Sequence, residues 1–241
     1  MKNVALIFAG GTGTRFNASS TPKQFLLLSG KPVIIHTLEY FQFCEKIDRI
    51  CVVCLEEKID DLKILLTRYG ITKADIVVPG GKSGQESIFK GLSAIHEAES
   101  DPDTLVLIHD GVRPLISEEL ILSCISCARE KGNAITVTKA YETIMTAENG
   151  GVIDHIVDRT NARLVRAPQC FFLSDIYSAH LRAQSENYTG AIDSATLMNH
   201  YGMELHTVEG PVENIKITTS SDFFMARAIF ESRENSQIAG L

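Results

Sequence analysis

A glycine-rich loop with two cationic side chains follows the first apolar run of the chain, in the segment FAGGTGTRFNASSTPKQF. Three closely spaced glycines let the backbone approach a ligand and present amide groups to an anion. Arg15 and Lys23 would add formal positive charge for phosphate oxygens. The segment therefore predicts a phosphate-binding loop, and the alternative is an ordinary glycine turn beside a solvated arginine.

Two common nucleotide-binding motifs fail here at single positions. A GxGxxG fingerprint that starts at Gly11 requires glycine at position 16, where Phe16 stands. An acidic partner for the ribose at the end of the next strand is also missing, which disfavours a nicotinamide oxidoreductase. A GxxxxGK loop that ends at Gly81 and Lys82 has Ile76 in place of its first glycine.

Composition and charge restrict the class of protein. The 241 residues carry a formal net charge of −7, which argues against broad electrostatic binding of nucleic acid or an anionic membrane. The apolar run near the N-terminus is about six residues, too short for a signal segment or a membrane span. These features predict a cytoplasmic protein without nucleic-acid or membrane partners.

Six cysteines and no secretory signal predict free thiols. Cys51 and Cys54 lie in a β-rich run, where residues three apart point to opposite faces and cannot readily chelate one metal ion. Cys124 and Cys127 lie in a helical stretch, where small apolar side chains commonly pack inward. Structural zinc is therefore disfavoured.

Strand-like and helix-like segments alternate over the first 140 residues. The strand candidates are VALIF, RICVVCL, ADIVV, TLVLIHD and AITVTKA, and amphipathic stretches separate them. This alternation predicts one α/β domain over residues 1–241, with a mostly parallel sheet covered by helices on both faces. Ligands of such sheets bind at the carboxyl ends of the strands, which places the loops after residues 8, 78, 108 and 139 at one rim.

The pattern changes between about 140 and 166, where ENGG predicts a turn between two β-like arms. We therefore expect a β-hairpin arm that projects from the sheet. The rest of the chain predicts helices near 173–186, 193–201 and 220–232, and strands in MELHTVEG and ENIKITT.

Several short motifs follow one another along nearly the whole chain, and their order and spacing match one family. They are AGGTGTR and PKQF, GG and ESI within 80–88, HDGVRP at 109–114, ETI at 142–144, VDR at 157–159, APQCF at 167–171, IDSA at 192–195 and NIKITT at 214–219. On these motifs the chain resembles the cytidylyltransferase family that includes 2-C-methyl-D-erythritol 4-phosphate cytidylyltransferase and ribitol-5-phosphate cytidylyltransferase. The resemblance implies a Rossmann-like, GT-A-like nucleotidyltransferase fold.

The resemblance also implies an activity, the Mg²⁺-dependent transfer of CMP from CTP to a polyol phosphate. A phosphate oxygen of the second substrate would attack the α-phosphorus of CTP, releasing pyrophosphate and forming a CDP-alcohol. Charge accumulates on the phosphoryl oxygens, so catalysis would consist mainly of positioning and electrostatic stabilisation.

The family match assigns roles to individual residues. It implies catalytic roles for Arg15, Lys23 and Lys216. The implied nucleotide-binding residues are Ala9, Gly10, Gly11, Thr12, Gly13, Gly80, Gly81, Ser87 and Asp110, and Asp110 is also the implied magnesium ligand. The implied substrate-binding residues are Arg113, Thr143, Arg159 and Asp193.

Some of these residues have simpler explanations. Asp110 ends a strongly apolar run, where a carboxylate needs a positive partner or a capping role, and Arg113 could supply that partner without any metal. Lys216 would otherwise be a solvated strand lysine, and Ser87 an ordinary hydroxyl early in a helix. In related enzymes the arm exchanges across a homodimer, so we expect a homodimer in which Thr143 completes the neighbouring site.

The chain departs from the family pattern at three positions. Ala167 and Ile192 stand where threonines are usual, and Gly84 replaces an arginine. Losing two hydroxyls near the second substrate weakens the case for methylerythritol phosphate of isoprenoid biosynthesis. We therefore expect ribitol 5-phosphate, or a related alditol phosphate that serves as a cell-surface polymer precursor. The alternatives are methylerythritol phosphate and a non-catalytic CTP-binding protein.

Overall fold

The computed structural model describes residues 1–11, 21–148 and 151–239. The strands are β1 (Asn3–Ala9), β2 (Leu27–Leu28), β3 (Lys31–Pro32), β4 (Arg49–Cys54), β5 (Ile76–Pro79), β6 (Leu105–Asp110), β7 (Asn133–Lys139), β8 (Met145–Glu148), β9 (Val152–Ile156), β10 (Arg163–Phe172) and β11 (Thr207–Glu209). The helices are α1 (Val33–Phe43), α2 (Ile59–Arg68), α3 (Gly84–Ala98), α4 (Glu118–Lys131), α5 (Leu173–Ser185), α6 (Ser194–His200) and α7 (Ser220–Ala239). No helix within these ranges is long and apolar enough to cross a membrane.

The central sheet has the strand order β11-β7-β10-β6-β1-β4-β5 within the described ranges. The pairs β1 with β4, β1 with β6, β4 with β5, and β7 with β11 are parallel. Among the strands that the structure describes in this sheet, β10 alone runs antiparallel to its neighbours, β6 and β7. The predicted mostly parallel sheet is therefore confirmed, and the chain reverses its direction of travel across the sheet at β1.

Helices cover both faces of the sheet, as the continuous apolar strands predict. One buried cluster joins α1, α2 and α4 to one face, and a second joins α3, α5 and α6 to the other. Cys51 belongs to the second cluster and Cys54 to the first, so the two thiols do point to opposite faces. All six cysteines are free, and Cys124 is buried on α4 as expected.

The strand β10 is the main element absent from the sequence-based strand candidates. It lies between β6 and β7, and its register shifts between Val165 and Gln169. Pro168 lacks the amide proton that hydrogen bonding between strands requires. A proline inside an apolar run therefore argues against a central strand, and the sequence pattern does not predict β10. The predicted arm bounds of 140–166 therefore run into the first residues of a central strand.

The predicted strand in ENIKITT is wrong, because residues 214–218 form no ladder. The segment instead follows a turn at Pro211, whose carbonyl accepts from the Asn214 amide, and the Ile217 amide donates to the Val112 carbonyl. Ile215 and Ile217 pack into a third apolar cluster with α7. The strand predicted in MELHTVEG shortens to β11, and the last helix extends to 239 rather than to 232.

The predicted hairpin is confirmed in its two arms, since β8 and β9 pair as a separate antiparallel ribbon. Asn149 and Gly150, at the predicted turn, lie outside the described residues. The ribbon exposes large apolar side chains, among them Val152, Ile153 and Ile156. Such a group of exposed apolar side chains is typical of an interaction surface.

Candidate active site

Two adjacent pockets open at the carboxyl ends of β1 and β6, where the sheet order reverses. The first, the opening-loop pocket, is lined by residues 8–11, Lys23, Gln24, residues 81–84, Ser87, Asp110, Val112, Lys216 and Thr218. The second, the inner pocket, is lined by Phe8, residues 84–85, Ile88, Ile108, Asp110, Arg113, residues 165–167, Gln169, His180, residues 191–194, Leu197 and Lys216. Asp110 and Lys216 line both pockets, so ligands in the two pockets would meet beside these two side chains.

The end of β1 and Gly11 are held by Gln24, a residue to which the motifs assign no role. Gln24, which is 1% exposed, donates through Nε2 to the Ala9 carbonyl at 2.6 Å. It makes a second, longer contact of 3.4 Å to the Gly11 carbonyl. Gln24 therefore ties the PKQF segment to the end of β1, and Lys23 lines the same pocket. Thr12, Gly13 and Arg15 lie outside the described residues.

The loop after β5 approaches the opening loop closely. A Cβ atom on Gly10 would lie 3.5 Å from the Gly80 Cα and 3.4 Å from the Ser87 hydroxyl. Ser87 is buried and accepts from the Gly81 amide at 2.9 Å while it donates to the Ser83 carbonyl at 2.8 Å. The side chain of Ser87 thus shapes the loop, and the glycines leave room for a ligand beside the backbone.

Asp110 joins two cations at the shared wall of the pockets. Its Oδ2 accepts from Arg113 Nε at 2.7 Å, and its Oδ1 lies 2.5 Å from Lys216 Nζ. Arg113 also donates through Nη1 to the Asn214 carbonyl at 2.9 Å, which fixes the guanidinium. Asp110 therefore does form the ion pair with Arg113 that the sequence suggests, and it forms a second ion pair with Lys216.

This cluster keeps Asp110 ionised. Burial acts to raise the pKa of the carboxyl, but the charges and hydrogen bonds of Arg113 and Lys216 outweigh it and lower the pKa of Asp110 to about 2. Lys216 remains partly exposed, with 38% of its side chain accessible, whereas Asp110 is buried. The ammonium group of Lys216 is therefore held by a fixed counter-charge and still open to a ligand.

His109 precedes Asp110 on β6 but lines neither pocket. Its imidazole is fully buried, and its Nε2 lies 3.2 Å from the Arg113 carbonyl. Burial lowers the pKa of His109 to about 4, against the opposing effect of Asp110. The ring is neutral near pH 7 and helps to position the loop that carries Arg113, in agreement with its interpretation from the sequence as a packing residue.

Asp193 caps a helix in addition to lining the inner pocket. Its Oδ1 accepts from the Thr196 amide at 2.8 Å at the start of α6, and its Oδ2 accepts from Gln169 Nε2 at 3.0 Å. Gln169 in turn accepts from the Ala195 amide at 2.8 Å. Asp193 and Gln169 therefore lock α6 against β10 and fix one wall of the inner pocket.

Thr143 and Arg159 lie apart from both pockets within one chain. Arg159 donates to the Tyr141 carbonyl at 3.2 Å and lines a shallow concavity with Lys139 and Arg163 at the base of the arm. Because β10 is antiparallel to both β6 and β7, the loop after residue 139 lies at the same edge of the sheet as the loop after β6, and it lines this concavity rather than either pocket. The role of Thr143 in the site of a neighbouring copy and the role of Arg159 in substrate binding stay predictions.

The comparisons with known proteins agree on one family. A family model described as IspD: 2-C-methyl-D-erythritol 4-phosphate cytidylyltransferase matches residues 3–232. The chain is 49% identical over 241 residues to the ribitol-5-phosphate cytidylyltransferase of Streptococcus agalactiae serotype V, with 100% of each chain covered. It is 38% identical over 233 residues to the 2-C-methyl-D-erythritol 4-phosphate cytidylyltransferase of Geotalea uraniireducens, covering 96% of this chain and 98% of the relative.

A solved structure gives the same result. The crystal structure of 4-diphosphocytidyl-2C-methyl-D-erythritol synthase from Anaerococcus prevotii matches with a TM-score of 0.80 at 29% identity, covering 95% of this chain and 98% of the other. The fold and the two joined pockets define a Rossmann-like nucleotidyltransferase. The chain belongs to the IspD family of cytidylyltransferases, as its motifs predict.

Proposed function

We propose that the enzyme transfers CMP from CTP to ribitol 5-phosphate or a related alditol phosphate, with release of pyrophosphate. The observation that carries this proposal is the Asp110–Lys216 pair on the wall that the two pockets share. An anionic nucleotide in one pocket and an anionic acceptor in the other would meet beside a fixed ammonium group. The 49% identical relative named for ribitol 5-phosphate supports the choice of acceptor.

The opening-loop pocket suits the triphosphate of CTP. The backbone of Gly10 and Gly11 faces it, and Lys23 lies on its wall. Backbone amide groups and a lysine bind phosphate oxygens through hydrogen bonds and charge, and no covalent intermediate is needed. We assign Thr12, Gly13 and Arg15 to the same task, and Gly80, Gly81 and Ser87 to the cytidine end, on the family pattern.

The residues of the site fit a magnesium ion that arrives with the nucleotide. Residues 1–11, 21–148 and 151–239 contain no cluster of three or more Asp, Glu, His or Cys that could hold a metal ion. Mg²⁺ usually binds through one or two carboxylates together with substrate phosphates, and ionised Asp110 keeps acceptor capacity beyond its two bonds. Asp110 would hold the ion, which would neutralise charge on the phosphates when bound.

The chemistry assigned to the chain's own residues is electrostatic. Lys216 would stabilise charge that develops on the α-phosphoryl oxygens as the acceptor phosphate attacks. Asp110 and Phe8 hold the Lys216 ammonium at the junction, since its Nζ lies 5.7 Å from the Phe8 ring centroid. Arg113, fixed by Asp110 and Asn214, would bind the acceptor near its phosphate.

A direct assay tests the proposal. Purified protein with CTP and Mg²⁺ should release pyrophosphate with ribitol 5-phosphate, with a kcat/KM at least about 10-fold above that for 2-C-methyl-D-erythritol 4-phosphate. Removing Mg²⁺ with a chelator should stop the release. A preference for methylerythritol phosphate would assign the chain to isoprenoid biosynthesis, and CTP binding without release for any acceptor would favour a non-catalytic protein.

We also propose that the protein forms a homodimer through the arm, in which Thr143 and Arg159 act at the partner's site. We place the enzyme in the cytoplasm, where CTP is available. Val152, Ile153 and Ile156 support the homodimer, because 71%, 52% and 61% of these apolar side chains are exposed in one chain. The mass in solution, measured by light scattering, should be twice that of the 26.5 kDa chain. A monomer at assay concentrations with full activity would contradict the shared site.

A further inference from the structure

The inner pocket gathers polar atoms that lack a hydrogen-bond partner among the residues that the structure describes. Nine buried side-chain atoms in those ranges have none, and four of the nine belong to residues that line this pocket: Gln85 Oε1, Arg166 Nε, His180 Nε2 and Ser194 Oγ. The opening-loop pocket is lined by none of the nine. Because buried polar atoms are nearly always paired in proteins, this concentration points to a ligand with many hydrogen-bonding groups.

The four side chains come from four different elements. Gln85 is on α3, Arg166 on β10, His180 on α5 and Ser194 at the start of α6. His180 and Ser194 are 3% and 2% exposed, so neither can turn to solvent without repacking. These four residues line a cavity of about 260 Å³, so its wall is built from four elements of the fold.

Two of these side chains are fixed in position by other contacts. Gln85 donates through Nε2 to the Tyr188 carbonyl at 3.0 Å, which leaves its Oε1 as an acceptor. His180 stacks on Phe89 with ring centroids 6.0 Å apart. Burial lowers the pKa of His180 to about 4, so the ring is neutral near pH 7. These contacts hold the side chains of Gln85 and His180 in place in the pocket wall.

The mixture of donors and acceptors identifies the ligand class. Arg166 can only donate and Gln85 Oε1 can only accept, whereas a serine hydroxyl does both. A phosphate group would use only donors, and a cation would use only acceptors. Hydroxyl groups pair with both donors and acceptors. The apolar side chains of Ile88, Ile108 and Leu197 in the same pocket suit the carbon chain that carries such hydroxyl groups.

We propose that Gln85, Arg166, His180 and Ser194 bind the hydroxyl groups of the acceptor's carbon chain and so determine the preference for a polyol phosphate. The inference rests on the proposed CMP transfer and adds the residues that select the acceptor. The acceptor phosphate would lie beside Lys216 and Arg113, and the carbon chain would extend into the inner pocket. Ala167, Ile192 and Gly84 also line this pocket and offer no side-chain donor.

The test uses two acceptors that share a phosphate but differ in hydroxyl number. For Arg166→Met, kcat/KM with ribitol 5-phosphate should fall about 10- to 100-fold, because a charge-assisted donor is lost. For Ser194→Ala the fall should be about 3- to 10-fold. In both variants the KM for CTP should change less than about 3-fold. The kcat/KM for glycerol 3-phosphate, or its inhibition constant if it is not turned over, should also change less than about 3-fold.

Controls separate binding from stability. Arg182→Met, on the exposed side of α5 where Arg182 bonds Glu186, should behave as the parent enzyme. Thermal unfolding of each variant reports loss of fold, and Ser194→Ala keeps the test valid if Arg166→Met does not fold. Equal losses with both acceptors, or no loss with either, would overturn the inference while CMP transfer itself stands. Absence of transfer by the parent enzyme would overturn the proposed function as well.

Discussion

Replacing Lys216 by methionine should lower kcat by about 10²- to 10³-fold, with a much smaller change in the KM for CTP. The reason is that the ammonium group lies where the two pockets meet and acts mainly on charge that develops in the transition state. Methionine keeps much of the length of the side chain and removes the charge. Steady-state pyrophosphate release at several CTP concentrations separates kcat from KM.

The matched control is Lys63→Met, which removes an exposed lysine of α2, outside both pockets. Its kcat should equal that of the parent enzyme. The Lys216 variant should also keep its fold, because Asp110 retains Arg113 as a partner. A large rise in the KM for CTP with an unchanged kcat would instead assign Lys216 to ground-state binding.

Asp110→Asn should combine a loss of turnover with a loss of stability. We expect kcat to fall by about 10²- to 10³-fold, because the variant lacks the counter-charge that positions Lys216 and the carboxylate assigned to Mg²⁺. A folded-state pKa of about 2 against an ordinary value of 3.8 corresponds to about 2 kcal/mol of unfolding free energy at pH 7. Urea unfolding of both proteins measures this difference.

The sign of the pH dependence follows from the lowered pKa. Ionised Asp110 stabilises the folded state above about pH 4, and this contribution is lost as the pH falls through about 2. The difference in unfolding free energy between the parent protein and Asp110→Asn should therefore shrink by about 1 kcal/mol between pH 7 and pH 3. The exposed Asp60→Asn provides the control. A difference independent of pH would mean that the carboxylate is not held by Arg113 and Lys216.

The sequence predicts the sheet because its signal is local. Five nearly continuous apolar runs separated by amphipathic stretches predict parallel strands between helices, and β1, β4, β5, β6 and β7 all form. The strand β10 is missed because Pro168 interrupts its pattern and because its pairing partners lie more than twenty residues away. The segment 214–218 is overpredicted because β-branched residues favour a strand only when a neighbouring strand is available.

The site is predictable to the extent that its residues lie in motifs. Asp110, Arg113 and Lys216 each stand in a motif and form one cluster, and Asp110 and Lys216 line a pocket together with Gly10 and Gly11. Gln24 was not assigned a role, although it stands in PKQF, because a buried bond to the Ala9 carbonyl leaves no periodic signal.

The four inner-pocket residues were missed for a different reason. Gln85, Arg166, His180 and Ser194 lie on four elements, and only the fold brings them together. Each is ordinary where it stands in the sequence, since a single polar residue in a helix or strand is usually solvated. The signal that identifies them is their shared burial without partners, which requires a three-dimensional structure.

The central claim is that CTP occupies the opening-loop pocket and the acceptor occupies the inner pocket, with their phosphates meeting at Asp110 and Lys216. A crystal structure of the enzyme with CTP, Mg²⁺ and ribitol 5-phosphate tests it most directly, with a non-reacting CTP analogue to prevent turnover. The account predicts the triphosphate along Gly10, Gly11 and Lys23 and the polyol chain beside Arg166. A triphosphate bound away from the opening loop, or a polyol chain outside the inner pocket, would contradict it.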